Sequence, residues 1–423
     1  MRQGTTFEEL VFWCIYDQPQ ISRADLAAQF SVSLPTVSRA IAVLLEHGLI
    51  LETAGAASSP GRKPQLLQVN PKLALLVGVE IDLDRVRAVV TDFSGTLLGR
   101  GAVACDAREG LNPAIEASRA AVDQALADAG VSWQKINHLG IGHPGDLDLS
   151  RGVCVSWANA PGWSGAPLRR QFQEKFRMEA SIDDNSRALA LAERHTTPAD
   201  RCHPNAIYVL AGTGIGMGIF IEGRLYRGST RGGGEMGHTV IDPNGPPCKC
   251  GNRGCVEAFA GAGSIVRQFR EAVRDAQPPS TQRPATPASV EQVIELAQQG
   301  DRTAQGVLGR AYEALGLGVA NAVQILNPSL IVLCGRLARA AGDDLLEVVG
   351  RTVRRQCVAT ASRELAIRRS QPKKDISTIG CALVAAESEA RRILGERLLR
   401  AAAKPGMSRR LTPDDPMPLA AEL

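Results

Sequence analysis

The chain has 423 residues, which is too long for one ordinary domain and predicts two or three. Apolar residues make up 44% and charged residues 22%, as is typical of a soluble globular protein, and the net charge of +4 neither requires nor excludes a nucleic-acid partner. No apolar run approaches the roughly 18 residues of a membrane-spanning helix, so no membrane partner is expected.

The first 70 residues predict a winged helix-turn-helix. FEELVFWCIYD has helical apolar spacing, SRADLAAQF reads as a short helix capped by Ser22, and SLPTVSRAIAVLLEHG reads as a longer helix capped by Ser33. The three-residue turn SVS between the last two helices indicates a helix-turn-helix. LILETAG and KPQLLQVN then predict two strands around the loop AASSPGRKP, which would be the wing. We therefore expect a DNA-binding domain at residues 1–70.

Five side chains of this domain are candidates for DNA contact. Thr36, Ser38 and Arg39 occupy exposed early positions of the second helix, which reach base edges in the major groove, and Arg62 with Lys63 would place two cations on the wing tip. The segment holds five basic and six acidic residues, so charge alone does not predict DNA binding. A winged helix that contacts only protein remains the alternative.

From about residue 75 the pattern becomes mixed α/β. LLVGVEIDLDRVRAVVTDFSGTLLGRG predicts paired strands around a turn at Ser94–Gly95, a helical run follows at 111–129, and INHLGIGHPGDLD reads as a strand. AIYVLAGTGIGMGIFIEGRLYRG repeats the strand–turn–strand pattern. Two strand-rich blocks that each begin with a glycine-containing hairpin predict a duplicated α/β fold with a cleft between two lobes.

The predicted domain limits follow from these blocks. The first lobe is expected at 71–190, completed by a C-terminal helix at about 380–400, and the second lobe at 191–380. The stretch 276–289 is rich in Pro, Ser and Thr and predicts a surface loop, and residues 401–423 carry no periodicity and are expected to be disordered.

A short loop, PCKCGNRGC at residues 247–255, holds three of the ten cysteines. Because the N-terminus has acidic residues ahead of its short apolar stretch and no cleavage site, we expect a cytoplasmic protein whose thiols stay reduced. Cys248, Cys250 and Cys255 with His238 form a Cys₃His set, which suits a closed tetrahedral zinc site. The alternative is that these are four unrelated side chains. The other seven cysteines are expected to fill the core.

Two carboxylates flank this loop. Glu235 precedes His238 by three residues, and Glu257 follows Cys255 by two. A metal clip that fixes both carboxylates on one wall would offer acceptors to sugar hydroxyls. Either glutamate taken alone is equally well explained as part of a solvated face.

The segment GEMGHTVIDPNGPPCKCGNRGCVE closely resembles the signature of the ROK family, named for repressors, uncharacterised frames and sugar kinases. The resemblance runs from about residue 5 to residue 390 and includes the helix-turn-helix that family repressors carry and family kinases lack. It implies an actin-like (ribonuclease H-like) two-lobed sugar-kinase fold, of class α/β, preceded by an all-α/winged-helix DNA-binding domain, in a homodimer or tetramer. It also implies zinc on the Cys₃His set and a sugar pocket lined by Glu235, His238 and Glu257, with Asn159 of WANAPGW joining from the other lobe.

The family pattern breaks where kinases hold phosphate. Their loop reads Asp-Ile-Gly-Gly-Thr, whereas Glu80-Ile81-Asp82-Leu83-Asp84 stands here. The glycines that let backbone N–H groups approach phosphate are gone, and the two aspartates would repel a triphosphate. Gly212-Thr213-Gly214-Ile215-Gly216 still resembles part of a nucleotide site, so some nucleotide affinity remains an open alternative.

A second break lies at Ile182-Asp183-Asp184-Asn185-Ser186, where family kinases read Glu-Asn-Asp-Ala. The register set by Ala192-Glu193 puts Asn185 at the catalytic-base position and Asp184 at the preceding one. An amide cannot accept the hydroxyl proton, although both side chains could still bind a sugar by hydrogen bonds. A register shifted by one residue would restore Asp184 as the base.

The sequence as a whole predicts a sugar-responsive transcriptional regulator, a repressor that binds operator DNA and a sugar effector, with zinc and without kinase activity. The first alternative is an ATP-dependent sugar kinase that also binds DNA. The second is a zinc-stabilised scaffold that binds a protein partner through its helix-turn-helix.

Overall fold

The structure is a computed structural model that describes residues 6–54, 65–276, 287–371 and 374–402. The wing-tip residues Arg62 and Lys63, most of the 276–289 stretch and residues 403–423 lie outside the described residues. The helices are α1 Phe7–Asp17, α2 Arg23–Gln29, α3 Leu34–Glu46, α4 Leu111–Ala129, α5 Leu168–Phe176, α6 Asn185–Thr196, α7 Val256–Ala260, α8 Ala262–Ala276, α9 Val290–Gln298, α10 Arg302–Leu326, α11 Gly335–Ala341, α12 Asp343–Gln356, α13 Ala359–Ser362 and α14 Ile376–Ala402. The strands are β1 Ile21–Ser22, β2 Ile50–Ala54, β3 Gln65–Val69, β4 Leu75–Ile81, β5 Arg85–Asp92, β6 Leu97–Ala104, β7 Ile136–His143, β8 Asp146–Asp148, β9 Val153–Ser156, β10 Ala180–Asp184, β11 Ala206–Ala211, β12 Ile215–Ile221, β13 Arg224–Tyr226, β14 Leu330–Cys334 and β15 Ala366–Arg369.

The N-terminal domain is a winged helix-turn-helix, as the sequence predicts. Helices α1–α3 pack through an apolar cluster that includes the fully buried Val37, Ile41 and Leu44 of α3. Strands β2 and β3 pair antiparallel, and the unpredicted two-residue β1 adds to β3 on its other side. Ser22 caps α2 in a capping box with Asp25, since each side chain bonds the other residue's backbone N–H.

The prediction for the start of α3 needs a correction. Ser33 occupies the N-cap position, but its side chain makes no capping hydrogen bond with the helix backbone. Its hydroxyl lies 2.9 Å from the hydroxyl of Thr36 instead. The turn between α2 and α3 is also one residue longer than predicted, because α2 ends at Gln29 and α3 begins at Leu34.

The rest of the chain forms two lobes with the same sheet topology. The first sheet has the order β6-β5-β4-β7-β10, and the second has the order β13-β12-β11-β14-β15. In each sheet the first three strands in chain order pair antiparallel. The fourth and fifth strands run parallel to the first strand in chain order. This repeated order is the duplicated ribonuclease H-like arrangement, which confirms the predicted fold class.

Helix α14 returns from the second lobe to pack on the first. It lies so close to the sheet that a Cβ at Gly78 would overlap the carbonyl of Thr378, and one at Gly140 would overlap the carbonyl of Cys381. Gly380 of α14 meets the backbone of Ala188 in α6 in the same way. The helix therefore contacts both the sheet and α6 at backbone distance, and its later turns join the apolar cluster of the N-terminal domain.

None of the described helices is long and apolar enough to cross a membrane alone; α2 and α3 together reach that length, with a bend of 118° between them. Among the cysteines outside the 247–255 loop, Cys14, Cys154, Cys334 and Cys381 are buried as predicted. Cys202 is exposed, so the prediction that all seven fill the core is wrong for this residue.

Candidate functional site

The four predicted metal ligands converge in the structure. The ligand atoms of His238, Cys248, Cys250 and Cys255 all lie within 4.8 Å of one another. Cys248 Sγ is 3.7 Å from His238 Nδ1, and Cys250 Sγ is 3.7 Å from Cys255 Sγ. In a tetrahedral zinc site with Zn–S bonds near 2.3 Å, neighbouring sulfur atoms stand about 3.8 Å apart. The donor set suits zinc, and these two pairs of donor atoms have the spacing of a tetrahedral site.

The backbone of the loop explains why two glycines stand among the ligands. Gly251 and Gly254 both have positive φ, +96° and +66°, which other residues adopt at a cost. A Cβ at Gly254 would also overlap the carbonyl oxygen of Asp242. The Cys248 amide donates to the Asn252 carbonyl at 2.8 Å and closes the turn.

The loop positions both flanking glutamates through short secondary elements. Glu235 is the N-cap of a 3-10 turn, Met236–His238, that ends on a ligand. Cys255 is the N-cap of α7, and Glu257 is the second residue of that helix. Both carboxylates therefore stand within one turn of a ligand.

Glu235 lies among other carboxylates in the cleft. Although the residue is exposed to solvent, protein atoms crowd its carboxyl group, and this desolvation together with the charge of Asp184 raises its pKa to about 7. Asp146 and Glu257 add to the rise, and Arg187 opposes it. Asp184 and Asp146 belong to the first lobe and Glu257 to the second, so Glu235 faces acceptors from both sides.

Glu257 also holds the glycine loop of the second lobe. Its Oε2 accepts the backbone N–H of Ile215 at 2.8 Å. Gly216 has no room for a side chain, because a Cβ there would stand 2.8 Å from Ser186 Oγ. Gly216 thus serves the packing of β12 against α6, and Glu257 uses the Ile215 N–H of the loop.

The loop that carries Asn159 reaches the metal loop. Lys249, which lies between two of the cysteines, donates a hydrogen bond from Nζ to Asn159 Oδ1. In the same lobe, the fully buried His143 packs against both Trp157 and Trp163, with ring centroids 4.9 and 5.0 Å away. Asn159 therefore bridges the first lobe and the metal loop.

His143 was not found from the sequence. Burial lowers its pKa to about 3, so the ring is neutral at physiological pH. Its Nδ1 accepts the Gly145 N–H at 2.9 Å, which places the proton on Nε2, and Nε2 has no hydrogen-bond partner within the described residues. A histidine within a strand-like pattern does not stand out in the sequence as a residue of the site. The same holds for Asp146.

Asp184 and Asn185 adjoin the cleft at the start of α6. Asp184 caps the helix, since its Oδ1 accepts the backbone N–H of Ser186 at 2.8 Å. Asn185 is only 7% exposed, and its Nδ2 donates to the carbonyl of Ile81 at 3.2 Å. The amide at the predicted base position is thus tied to the end of β4.

The segment that replaces the kinase phosphate loop is internally satisfied. Glu80 is buried, accepts a hydrogen bond from Thr378 Oγ1 at 2.7 Å and pairs with Arg87 at 3.1 Å. Asp82 donates its N–H to the Arg85 carbonyl, and its Oδ1 accepts the N–H of Leu83 at 2.8 Å. The Asp82 and Leu83 N–H groups and the Glu80 carboxylate therefore all have partners within the chain.

The three α3 residues predicted to contact DNA differ in their exposure. Arg39 is exposed, and Thr36 and Ser38 are half-buried, with the Thr36 hydroxyl already paired with that of Ser33. Leu34, on the first turn of the same helix, is 50% exposed and was not singled out from the sequence. The predicted wing contacts Arg62 and Lys63 lie outside the described residues.

A winged-helix domain joined to a duplicated ribonuclease H-like fold, with a Cys₃His loop beside a cleft of carboxylates, defines a sugar-kinase-like protein that carries its own DNA-binding module. Residues 76–388 match the ROK family, and residues 8–54 match the MarR family. The chain belongs to the ROK family.

The relatives of this chain fall into two functional groups. The xylose repressor of Bacillus subtilis (strain 168) is 30% identical over 77% of this chain and 81% of its own. The glucokinase of Thermotoga maritima is 34% identical over 48% of this chain and 65% of its own. A crystal structure of a ROK family transcriptional regulator, a homologue of the Escherichia coli MLC protein, has a TM-score of 0.70 at 23% identity and covers 92% of this chain and 97% of its own. The fold of the regulator covers nearly the whole chain.

Proposed function

We propose that this protein is a sugar-responsive transcriptional repressor that has lost kinase activity. It binds operator DNA through the N-terminal domain and a sugar in the cleft between the lobes. A family match over 76–388, a winged helix-turn-helix and similarity to a xylose repressor support the regulatory function. D-Xylose is the first sugar to test, because it is the sugar in the name of that relative.

The contrast between the two sides of the cleft carries this proposal. On one side Glu235, His238 and Glu257 cluster beside the metal loop, with Asn159 reaching them through Lys249. On the other side Glu80 is bound to Arg87 and Thr378, and Asn185 is tied to Ile81. The first side offers acceptors to hydroxyl groups, whereas on the second side the Glu80 carboxylate and the Asn185 amide are already engaged within the chain.

Each sugar-site residue has a role that its position supports. Glu235 and Glu257 accept hydroxyl hydrogens, and His238 offers Nε2 because its Nδ1 faces Cys248. Asn159 and Asp184 contribute from the first lobe, the latter through the oxygen that does not cap α6. Asn185 supports the floor by its bond to Ile81, and its buried Oδ1 is the remaining acceptor of the side chain.

The Cys₃His cluster holds zinc in this proposal. Zinc bound there supplies structural cross-linking, because four protein ligands leave no open coordination position for catalysis. The chain's own residues do the rest: Gly251 and Gly254 shape the loop, and the turns beginning at Glu235 and Cys255 aim the two glutamates.

The DNA-binding domain acts through Thr36, Ser38 and Arg39 of α3, with Arg62 and Lys63 added from the wing. Because segment 1–70 has no excess of positive charge, one copy has little electrostatic attraction for DNA. A homodimer or tetramer doubles the cationic contacts and sets two recognition helices one half-site spacing apart. We place this regulator in the cytoplasm.

The competing function is a sugar kinase that also binds DNA. The similarity to a glucokinase and the retained Gly212–Gly216 loop favour it. A coupled ATP assay with D-xylose, D-glucose and N-acetyl-D-glucosamine separates the two functions. Sugar-dependent turnover that is abolished in Asp184→Ala would identify a kinase and restore Asp184 as its base.

The test of the repressor is an operator-binding titration with DNA from upstream of the protein's own gene, in the presence and absence of each sugar. We expect one sugar to weaken operator binding without ATP. If no promoter DNA is bound at all, the alternative of a protein-binding scaffold is favoured.

A further inference from the structure

A buried ionic network begins beside the sugar site. Asp183, the neighbour of Asp184 on β10, is 1% exposed and accepts hydrogen bonds from Arg187 Nε at 2.6 Å and Arg227 Nε at 2.9 Å. Burial on its own would raise the pKa of Asp183, but the two guanidinium groups outweigh it and hold the pKa below its ordinary value. One carboxylate therefore joins α6 to Arg227, which directly follows β13.

The same two arginines fix the segment that leads to Glu235. Arg187 Nη1 donates to the Gly233 carbonyl at 2.8 Å, and the Gly233 N–H donates to the Arg227 carbonyl at 2.9 Å. Glu235 follows Gly233 by two residues. A displacement of this segment by bound sugar must therefore move Arg187 or Arg227 or alter the hydrogen bonds that they make with it.

Arg227 also reaches α14 and, through it, the DNA-binding domain. Its Nη2 donates to Glu387 Oε2 at 2.9 Å, and Arg391 lies 3.7 Å from the same carboxylate oxygen. The Arg391 guanidinium lies 5.5 Å from the ring centroid of Trp13 in α1. Six residues further along α14, Arg397 Nη1 donates to the His47 carbonyl at the end of α3 at 2.7 Å. α14 is thus bound to both the first and the third helix of the DNA-binding domain.

We propose that Arg227 is a positioning residue that couples the sugar loop to the DNA-binding domain through Glu387 and α14. Sugar that moves Glu235 shifts the Arg227 segment, and the bond to Glu387 passes this shift to the helix on which α1 and α3 rest. The inference rests on the proposed function, since it requires a sugar that alters operator affinity. Such coupling is a free energy between two sites and acts equally in both directions.

The energetics favour coupling over stability as the role of this residue. Buried ion pairs often add little to stability compared with apolar groups of similar size. Replacing Arg227 also leaves no orphaned charge, because Asp183 keeps Arg187 and Glu387 keeps Arg391. Arg227→Met is therefore expected to fold, and Arg227→Lys preserves the charge but cannot bridge two carboxylates as a guanidinium does.

The experiment measures three dissociation constants on the full-length protein: operator without sugar, operator with saturating sugar, and sugar without operator. The sugar used is the one among D-xylose, D-glucose and N-acetyl-D-glucosamine that shifts operator binding of the wild type. We expect Arg227→Met to keep the first and third constants within about threefold of wild type, while the sugar-induced change in operator affinity falls to within about twofold of none. Arg227→Lys should restore only part of it. Arg392→Met is the matched control, because within the described residues Arg392 pairs with Glu389 and Glu396 of its own helix, and it should keep full coupling.

Two results would overturn the inference. Undiminished coupling in Arg227→Met is one, and loss of sugar binding to the free variant is the other, since it would place Arg227 in the sugar site itself. If Arg227→Met fails to fold, Glu387→Gln breaks the same link from the α14 side, and the same two outcomes decide. If the operator affinity of the wild type responds to no sugar, the proposed function is refuted and this inference loses its basis. That result is seen in the wild type and is therefore distinguishable from the two results of the Arg227→Met variant.

Discussion

Lowering the pH from 8 to 6 is expected to weaken sugar binding through Glu235. Desolvation of its carboxyl group in the cleft, together with the nearby Asp184, raises its pKa from 4.5 to about 7. With that pKa, about nine-tenths of the group is ionised at pH 8 and about one-tenth at pH 6. If the carboxylate is the form that accepts a sugar hydroxyl, the sugar dissociation constant should rise about tenfold over this interval. Because the ionised form is the binding form, affinity is lost as the pH falls through 7.

Titration calorimetry at pH 6, 7 and 8, with zinc content measured on the same samples, checks this. Glu235→Gln cannot titrate, so its binding should be weaker and independent of pH. Glu222→Gln is the matched control, since Glu222 is an exposed residue in the turn after β12, and it should keep the wild-type profile. A wild-type affinity that stays constant from pH 6 to 8 while zinc is retained would refute the reasoning.

Three further variants test the remaining parts of the site. Cys250→Ser removes a thiolate from the cluster, so the zinc content by elemental analysis should fall well below one per chain and the melting temperature should drop by several degrees. The control Cys202→Ser should change neither quantity. Full zinc content in Cys250→Ser would exclude the cluster as the metal site. Asn185→Asp restores a carboxylate at the base position, but Glu80 remains engaged, so a coupled ATP assay should detect no sugar phosphorylation; measurable turnover would mean that the floor still holds ATP. Arg39→Ala should weaken operator binding by about 1–3 kcal/mol if the side chain contacts a base. If the side chain neutralises a phosphate, the slope of log binding constant against log salt concentration should become shallower by about 0.9. Unchanged binding at all salt concentrations would exclude Arg39 from the interface.

The sequence predicts best those features whose residues are close together in the chain. The Cys₃His set lies within one short segment, and its glycines mark the turns that the structure contains. The two glycine-containing hairpins likewise predict two sheets of the same order. In both cases the feature is determined by the spacing of residue types within a short segment, and that spacing can be seen directly in the sequence.

Features that depend on distant contacts were not predictable in this way. Arg227 and Asp183 look like ordinary charges in the sequence, and only the fold buries them against each other and against Glu387. Gly78 and Gly140 look like ordinary strand residues in the sequence. Only glycine fits at these positions because the backbone of α14, more than 230 residues later in the chain, packs directly against them.

Asn185 illustrates the intermediate case. Its place in the family pattern predicts the loss of a catalytic base, but the pattern does not reveal where the amide goes. The structure turns it to the Ile81 carbonyl, so that it stabilises the floor of the cleft. Ser33 differs from its prediction for a similar reason, because its hydroxyl pairs with the Thr36 side chain at 2.9 Å and not with the helix backbone.

The most direct test of the account is fluorescence anisotropy of labelled upstream DNA with the zinc-loaded protein, titrated with sugar in the absence of ATP. The account predicts that one sugar weakens DNA binding by at least about fivefold and is recovered unmodified afterwards. DNA binding that ignores every sugar, or that responds only when ATP is present and sugar phosphate accumulates, would contradict it.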